Sequence, residues 1–181
     1  MEATVEYFEN PGEENTDRVL QLVARKAEAR DVDKVVLAST TGATAIKARD
    51  AFQDTDIQMV IVPHQYGFRG QPSKFPEDLA ESLREEGHVV HWGTMLFHTQ
   101  DLYRNGTPRA LATVLRCFCQ GIKVCFEITY MAADGGCVDA GEQIIAVAGT
   151  GSGADTAVYA SASTSQQPGD LDIHEILCMP H

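Results

Sequence analysis

Residues 34–39, 57–62 and 144–148 constrain this chain most, because each is a short, nearly unbroken run of apolar residues. A strand with one face in water alternates polar and apolar side chains. A strand covered on both faces does not, and that is the mark of a parallel sheet sandwiched by helices. The segments between these runs carry the helical period. Val19, Leu22, Val23 and Ala27 fall on one face of a helix over 14–30, with Asn15 or Thr16 placed to cap it. Further helices are expected over 43–52, over 77–86 behind Pro76, and over 107–120 behind Pro108. Additional strands are expected over 4–8, 88–92, 156–162 and 173–178, while 93–105 is poorly patterned. Residues 122–131 alternate like a strand but also carry a helical stripe of Val124, Ile128 and Met131, and the ending at Asp134-Gly135-Gly136 decides for a helix. Alternating strands and helices of this length define a three-layer α/β/α fold, and no linker or repeat divides residues 1–181.

Two of the apolar runs end in glycine-bearing turns. The first reads Ser39, Thr40, Thr41, Gly42, Ala43, Thr44, and the second reads Gly149, Thr150, Gly151, Ser152, Gly153, followed by Ala154, Asp155 and Thr156. Glycine permits positive φ and close approach to the backbone. A turn of this kind opening into a helix presents free N–H groups at the positive helix end, where an anion is stabilised. The first turn is therefore read as a phosphate cradle. The second fails as a dinucleotide fingerprint because a strand follows it, and is read as a glycine-rich wall beside the ligand, with a flexible surface loop as the alternative. Asp155 either accepts from a sugar hydroxyl or caps its turn.

Composition narrows the ligand. With 14 Lys and Arg against 26 Asp and Glu, the net charge of −12 disfavours a nucleic-acid backbone or an anionic membrane as partner. An anionic ligand must then be held by backbone amides and a few local cations, of which Arg69 is one candidate. The N-terminal residues carry no secretory pattern, and the five cysteines are odd in number and irregularly spaced, which gives an expectation of reduced thiols and a cytoplasmic location. After the second apolar run, His64, Tyr66, Gly67 and Phe68 offer an imidazole and two aromatic rings for stacking on a ligand ring, or form an ordinary packed loop. Glu127 sits among apolar residues and must be bonded, paired or protonated; a structural role is its leading reading. Cys117 and Cys119 point to different sides of a helix, and His88 and His91 to different faces of a strand, so no metal site is expected. No constellation for catalysis stands out, and whether the chain is an enzyme stays open.

These stretches resemble the C-terminal α/β domain of pyruvate kinase, and more closely the free-standing proteins built on that domain alone. The resemblance rests on Tyr7-Phe8 and Pro11-Gly12-Glu13-Glu14-Asn15-Thr16, on Ser39-Thr40-Thr41-Gly42-Ala43-Thr44-Ala45, on Lys123-Val124-Cys125-Phe126-Glu127-Ile128 with Met131-Ala132-Ala133-Asp134, on Gly153-Ala154-Asp155-Thr156, and on Glu175-Ile176-Leu177-Cys178-Met179-Pro180. Residues 93–104 align least. It implies a mostly parallel five-stranded sheet of order 3-2-1-4-5, counted from residue 34, with the last strand antiparallel. It implies an association with flavin mononucleotide (FMN), which would place Asn15 beside the site with the two turns. The catalytic barrel of pyruvate kinase has no counterpart here, so phosphoryl transfer from phosphoenolpyruvate is not implied. In open α/β sheets ligands bind where strand order reverses, which brings both glycine turns to one crevice. The expected function is thus binding of a phosphorylated small molecule, FMN first. A flavin-dependent oxidoreductase, and an oligomeric interaction domain with purely structural glycine loops, are the alternatives.

Overall fold

Val35, Val36 and Leu37 are all fully buried, although successive strand residues point to opposite faces. Both faces of the sheet are therefore covered. The computed structural model describes residues 4–181. Among these, seven strands form one sheet: β1 (Glu6–Phe8), β2 (Lys34–Ala38), β3 (Gln58–Val62), β4 (Val89–Val90), β5 (Gln143–Ala148), β6 (Thr156–Ser161) and β7 (Asp172–Pro180), in the order β1-β7-β6-β5-β2-β3-β4. β2 runs parallel to β3 and β5, and β3 parallel to β4. β6 is antiparallel to both β5 and β7, and β1 is parallel to β7. Read from β4 to β6, this is the expected order 3-2-1-4-5 with an antiparallel fifth strand. The sheet continues to seven strands because β7 is long enough to pair along β6 and still offer its other edge to β1.

Two cores result. On one face Val35, Leu37, Met59, Ile61, Ile145 and Val147 meet the apolar sides of α1 (Thr16–Arg30), α2 (Ala43–Phe52) and α3 (Glu77–Glu85). On the other, Val36, Val60, Ile144, Ala146 and Val158 meet a single helix, α6 (Gln120–Asp134). Ile122, Cys125, Ile128 and Met131 make its inward stripe. The strand-like alternation over 122–131 was misleading because the helix is buried nearly all round.

Three local expectations are corrected. The strand over 88–92 is only Val89–Val90, since it lies at the sheet edge and Trp92 turns away to pack on Phe75 and Tyr66. Residues 93–105 hold a 3-10 turn at Leu96–His98 and the short α4 (Gln100–Tyr103). The helix over 107–120 stops at Leu115 to give α5 (Thr107–Leu115). Cys117 therefore lies in the turn after α5 and Cys119 just before α6, neither of them on a helix. Cys119 is extended and its sulfur accepts from the Ile122 amide at 3.3 Å, so it caps α6.

Candidate functional site

β2 leads into α2 on one face of the sheet, while α6 on the opposite face leads into β5. The chain thus leaves β2 into one helical layer and reaches its parallel neighbour β5 from the other, leaving β5 through the glycine loop toward β6. A cleft of about 740 Å³ opens beyond the carboxyl ends of β2 and β5. Ser39, Thr40, Thr41, Ala43 and Thr44 line one side of it. α2 starts directly at this wall. The buried Ser39 hydroxyl accepts from the Ala45 amide at 3.3 Å, and the Ile46 amide bonds the Gly42 carbonyl at 2.9 Å. The amides of Ala43 and Thr44 open the helix at its positive end.

Gly42 itself does not line the cleft. Its φ of +88° makes the turn, and an added Cβ would stand 2.4 Å from Leu79 Cδ2, on the α3 side. Its role is backbone shape and close helix packing.

Gly149, Gly151, Ser152 and Gly153 form the facing wall. What holds this loop is Asp155, fully buried beneath it. One carboxylate oxygen accepts from the amides of Gly12 at 2.9 Å and Thr150 at 3.0 Å; the other accepts from the Thr156 hydroxyl at 2.7 Å. Asp155 therefore ties two loops together and does not reach the cleft, and Thr150 and Thr156 are its partners. Asn15 is likewise outside. Its side-chain amide donates to the carbonyls of Asn10 and Gly12 and holds the turn before α1. Thr16 completes the seam by accepting from the Ala154 amide at 3.0 Å, and it does line the cleft.

His64 and Phe68 stand on the third side with ring centroids 4.7 Å apart, and Phe68 meets His98 edge-on at 5.1 Å. Arg69 places its guanidinium 5.3 Å from the Phe68 ring centre. Tyr66 is turned outward, tilted against Trp92 with its hydroxyl donating to Glu77, and Gly67 supplies the positive-φ turn between them.

The floor was largely missed from sequence. Lys123 and Glu127 lie one turn apart on α6, and their side chains are 1% and 2% exposed. The Lys123 ammonium is bonded to one Glu127 oxygen, and the other oxygen accepts from the Phe97 amide at 2.8 Å. Lys123 Nζ also lies 3.2 Å from His98 Nε2. Burial lowers the Lys123 pKa against the opposing pull of Glu127. Burial also lowers the His98 pKa, helped by the Lys123 charge, and burial is the main cause of the lowered His64 value. The available signal was the i, i+4 spacing of opposite charges inside an apolar helix, of which only the carboxylate was singled out.

The cleft's charge differs from that of the chain. Its lining carries four cations, Lys47, Arg69, Arg116 and Lys123, and two carboxylates, Glu13 and Glu127. Lys47 is also paired with Asp17 at 2.8 Å, and Arg116 donates to Gln120 at 2.6 Å.

No family model matches the sequence. Among solved structures, a pyruvate kinase from Cryptosporidium parvum in complex with ADP matches at 11% identity over 82% of this chain, with a TM-score of 0.45. A second pyruvate kinase structure from the same organism matches at 11% identity over 73% of the chain, with a TM-score of 0.39. The chain spans 24% and 20% of the lengths of those two proteins.

Proposed function

We propose that this protein binds a phosphorylated small molecule in the switch-point cleft, with FMN as the first candidate. The observation that carries the reading is the cation excess of the lining in a chain of net charge −12, set against the amino end of α2. A phosphate there gains from helix-end amides, from the Thr40, Thr41 and Thr44 hydroxyls, and from Lys47 nearby. The cleft volume falls within the range of small-molecule sites, roughly 300–1,000 Å³. The His64–Phe68–His98 wall offers ring faces and edges to a flavin or another aromatic ring. Among the described residues, no helix is long and apolar enough to cross a membrane.

Fluorescence titration tests this. FMN emission should be quenched saturably by the protein, with competition by inorganic phosphate. Absence of saturable quenching at high protein concentration removes the flavin, and the same experiment with other phosphorylated metabolites then decides whether the cleft takes a different ligand or none.

A second reading, an oligomeric interaction domain, is favoured by one feature. Leu111, Val114 and Phe118 share one side of α5 and its following turn, and all are more than half exposed. Light scattering across a concentration series would show self-association, and Val114→Glu should abolish it.

A further inference from the structure

The floor of the cleft holds a buried primary amine whose surroundings are organised for proton exchange. Resting on the phosphate-binding reading above, we propose that Lys123 is an amine nucleophile, and that the cleft takes a phosphorylated aldehyde or ketone whose carbonyl it captures as an imine.

Three observations carry this. Lys123, Glu127 and His98 line the same cleft as the α2 amino end and the glycine loop, so one ligand can place its phosphate on the rim and its carbonyl at the floor. The amine is bonded both to a carboxylate and to an imidazole nitrogen, which gives its proton two acceptors. Glu127 is in turn fixed by the Phe97 amide, so the array is held in place before any ligand arrives. Burial, which lowers the pKa of Lys123, raises the fraction of free amine available to attack.

The step balances without a redox partner. Nζ passes a proton to His98 or Glu127 and its lone pair forms a C–N bond to the carbonyl carbon. The carbonyl oxygen takes up that proton and becomes the hydroxyl of a carbinolamine, as the nitrogen releases a second proton to the same two groups. That hydroxyl then leaves as water with this second proton returned to it, while the nitrogen lone pair forms the second C–N bond and leaves a protonated imine. A Lys–Glu pair that only braced the helix against Phe97 would have no use for the second acceptor, His98, or for a place at the cleft floor.

Pyridoxal 5′-phosphate, a phosphorylated aromatic aldehyde, is the probe. The full chain is incubated with it and reduced with borohydride, and the adduct is mapped by peptide mass spectrometry over the five lysines, Lys26, Lys34, Lys47, Lys74 and Lys123. We expect saturable labelling of Lys123 that falls at least tenfold when excess inorganic phosphate is present, and that is lost in Lys123→Arg. Labelling confined to Lys47 or to the other lysines overturns the proposal. So does saturable binding of the unreduced probe, measured by equilibrium dialysis, with no adduct at Lys123; that result leaves the phosphate reading standing. Absence of any phosphate-competed binding overturns both. Because the adduct is mapped on the wild-type chain, the test holds even if Lys123→Arg is unstable.

Discussion

At the scale of single residues, Thr44 separates binding from folding. It is buried, lines the cleft and sits in the first turn of α2. Thr44→Val keeps the shape and removes one hydroxyl. Loss of a hydrogen bond to a charged group costs about 1.5–3 kcal/mol, so FMN affinity should fall roughly tenfold to a hundredfold while the melting temperature holds. Glycines serve less well, because their space is taken by the protein itself. A Cβ on Gly153 would stand 2.3 Å from the Glu13 Cα, whereas one on Gly151 meets nothing within 4 Å. Both have positive φ, so each alanine costs about 1–2 kcal/mol in backbone strain. Gly153→Ala should lose a further ~1–3 kcal/mol through the clash. Urea denaturation of the two variants measures the difference, and equal losses would contradict the packing of the loop on the turn before α1.

At the scale of elements, α6 is the informative one. Breaking a buried ion pair strands the other charge. Lys123→Met should therefore destabilise the protein by about 3–5 kcal/mol, and Lys123→Met with Glu127→Leu should recover most of it. Denaturant midpoints of the two variants and the wild type test this; a double variant no more stable than the single one would mean that the pair itself contributes the stability. The same helix shows what was legible beforehand. Its existence followed from the Met131-Ala132-Ala133-Asp134-Gly135-Gly136 ending, and the β2, β3 and β5 runs could be read from unbroken apolarity. Its start could not be, because Cys119 is an uncommon cap. Lys123 escaped notice because a lysine in sequence reads as surface, and only tertiary packing buries it. Of the two readings of Asp155, holding its turn agrees with its bond to the Thr150 amide, but the second tie, to Gly12, is a long-range contact that no local pattern encodes.

At the scale of the whole molecule, stability should fall at both ends of the pH range. The Lys26 and Arg30 hydrogen bonds hold the Glu175 pKa below its ordinary value of 4.5. The folded state then binds fewer protons than the unfolded one, so this contribution is present above that value and is lost as pH falls. Burial lowers the pKa of His64, His88 and His98, which act in the same direction below 6.5. At the alkaline end burial raises Cys125 well above 9.0 and Cys178 to about 12. Unfolded thiols ionise first, so stability is intact below 9 and declines as pH rises through that window. Melting curves from pH 4 to 11 should show both limbs. Glu175→Gln should flatten the acid one and Cys178→Ala the alkaline one; unchanged limbs would mean that these groups titrate alike in the folded and unfolded chains.

Hydrogen–deuterium exchange with and without FMN tests most directly whether the switch-point cleft is the binding site. We expect slower exchange at the amides of 40–46 and 149–154, with α3 and β7 unchanged. FMN that binds saturably while leaving both loops unprotected would contradict the assignment of the site.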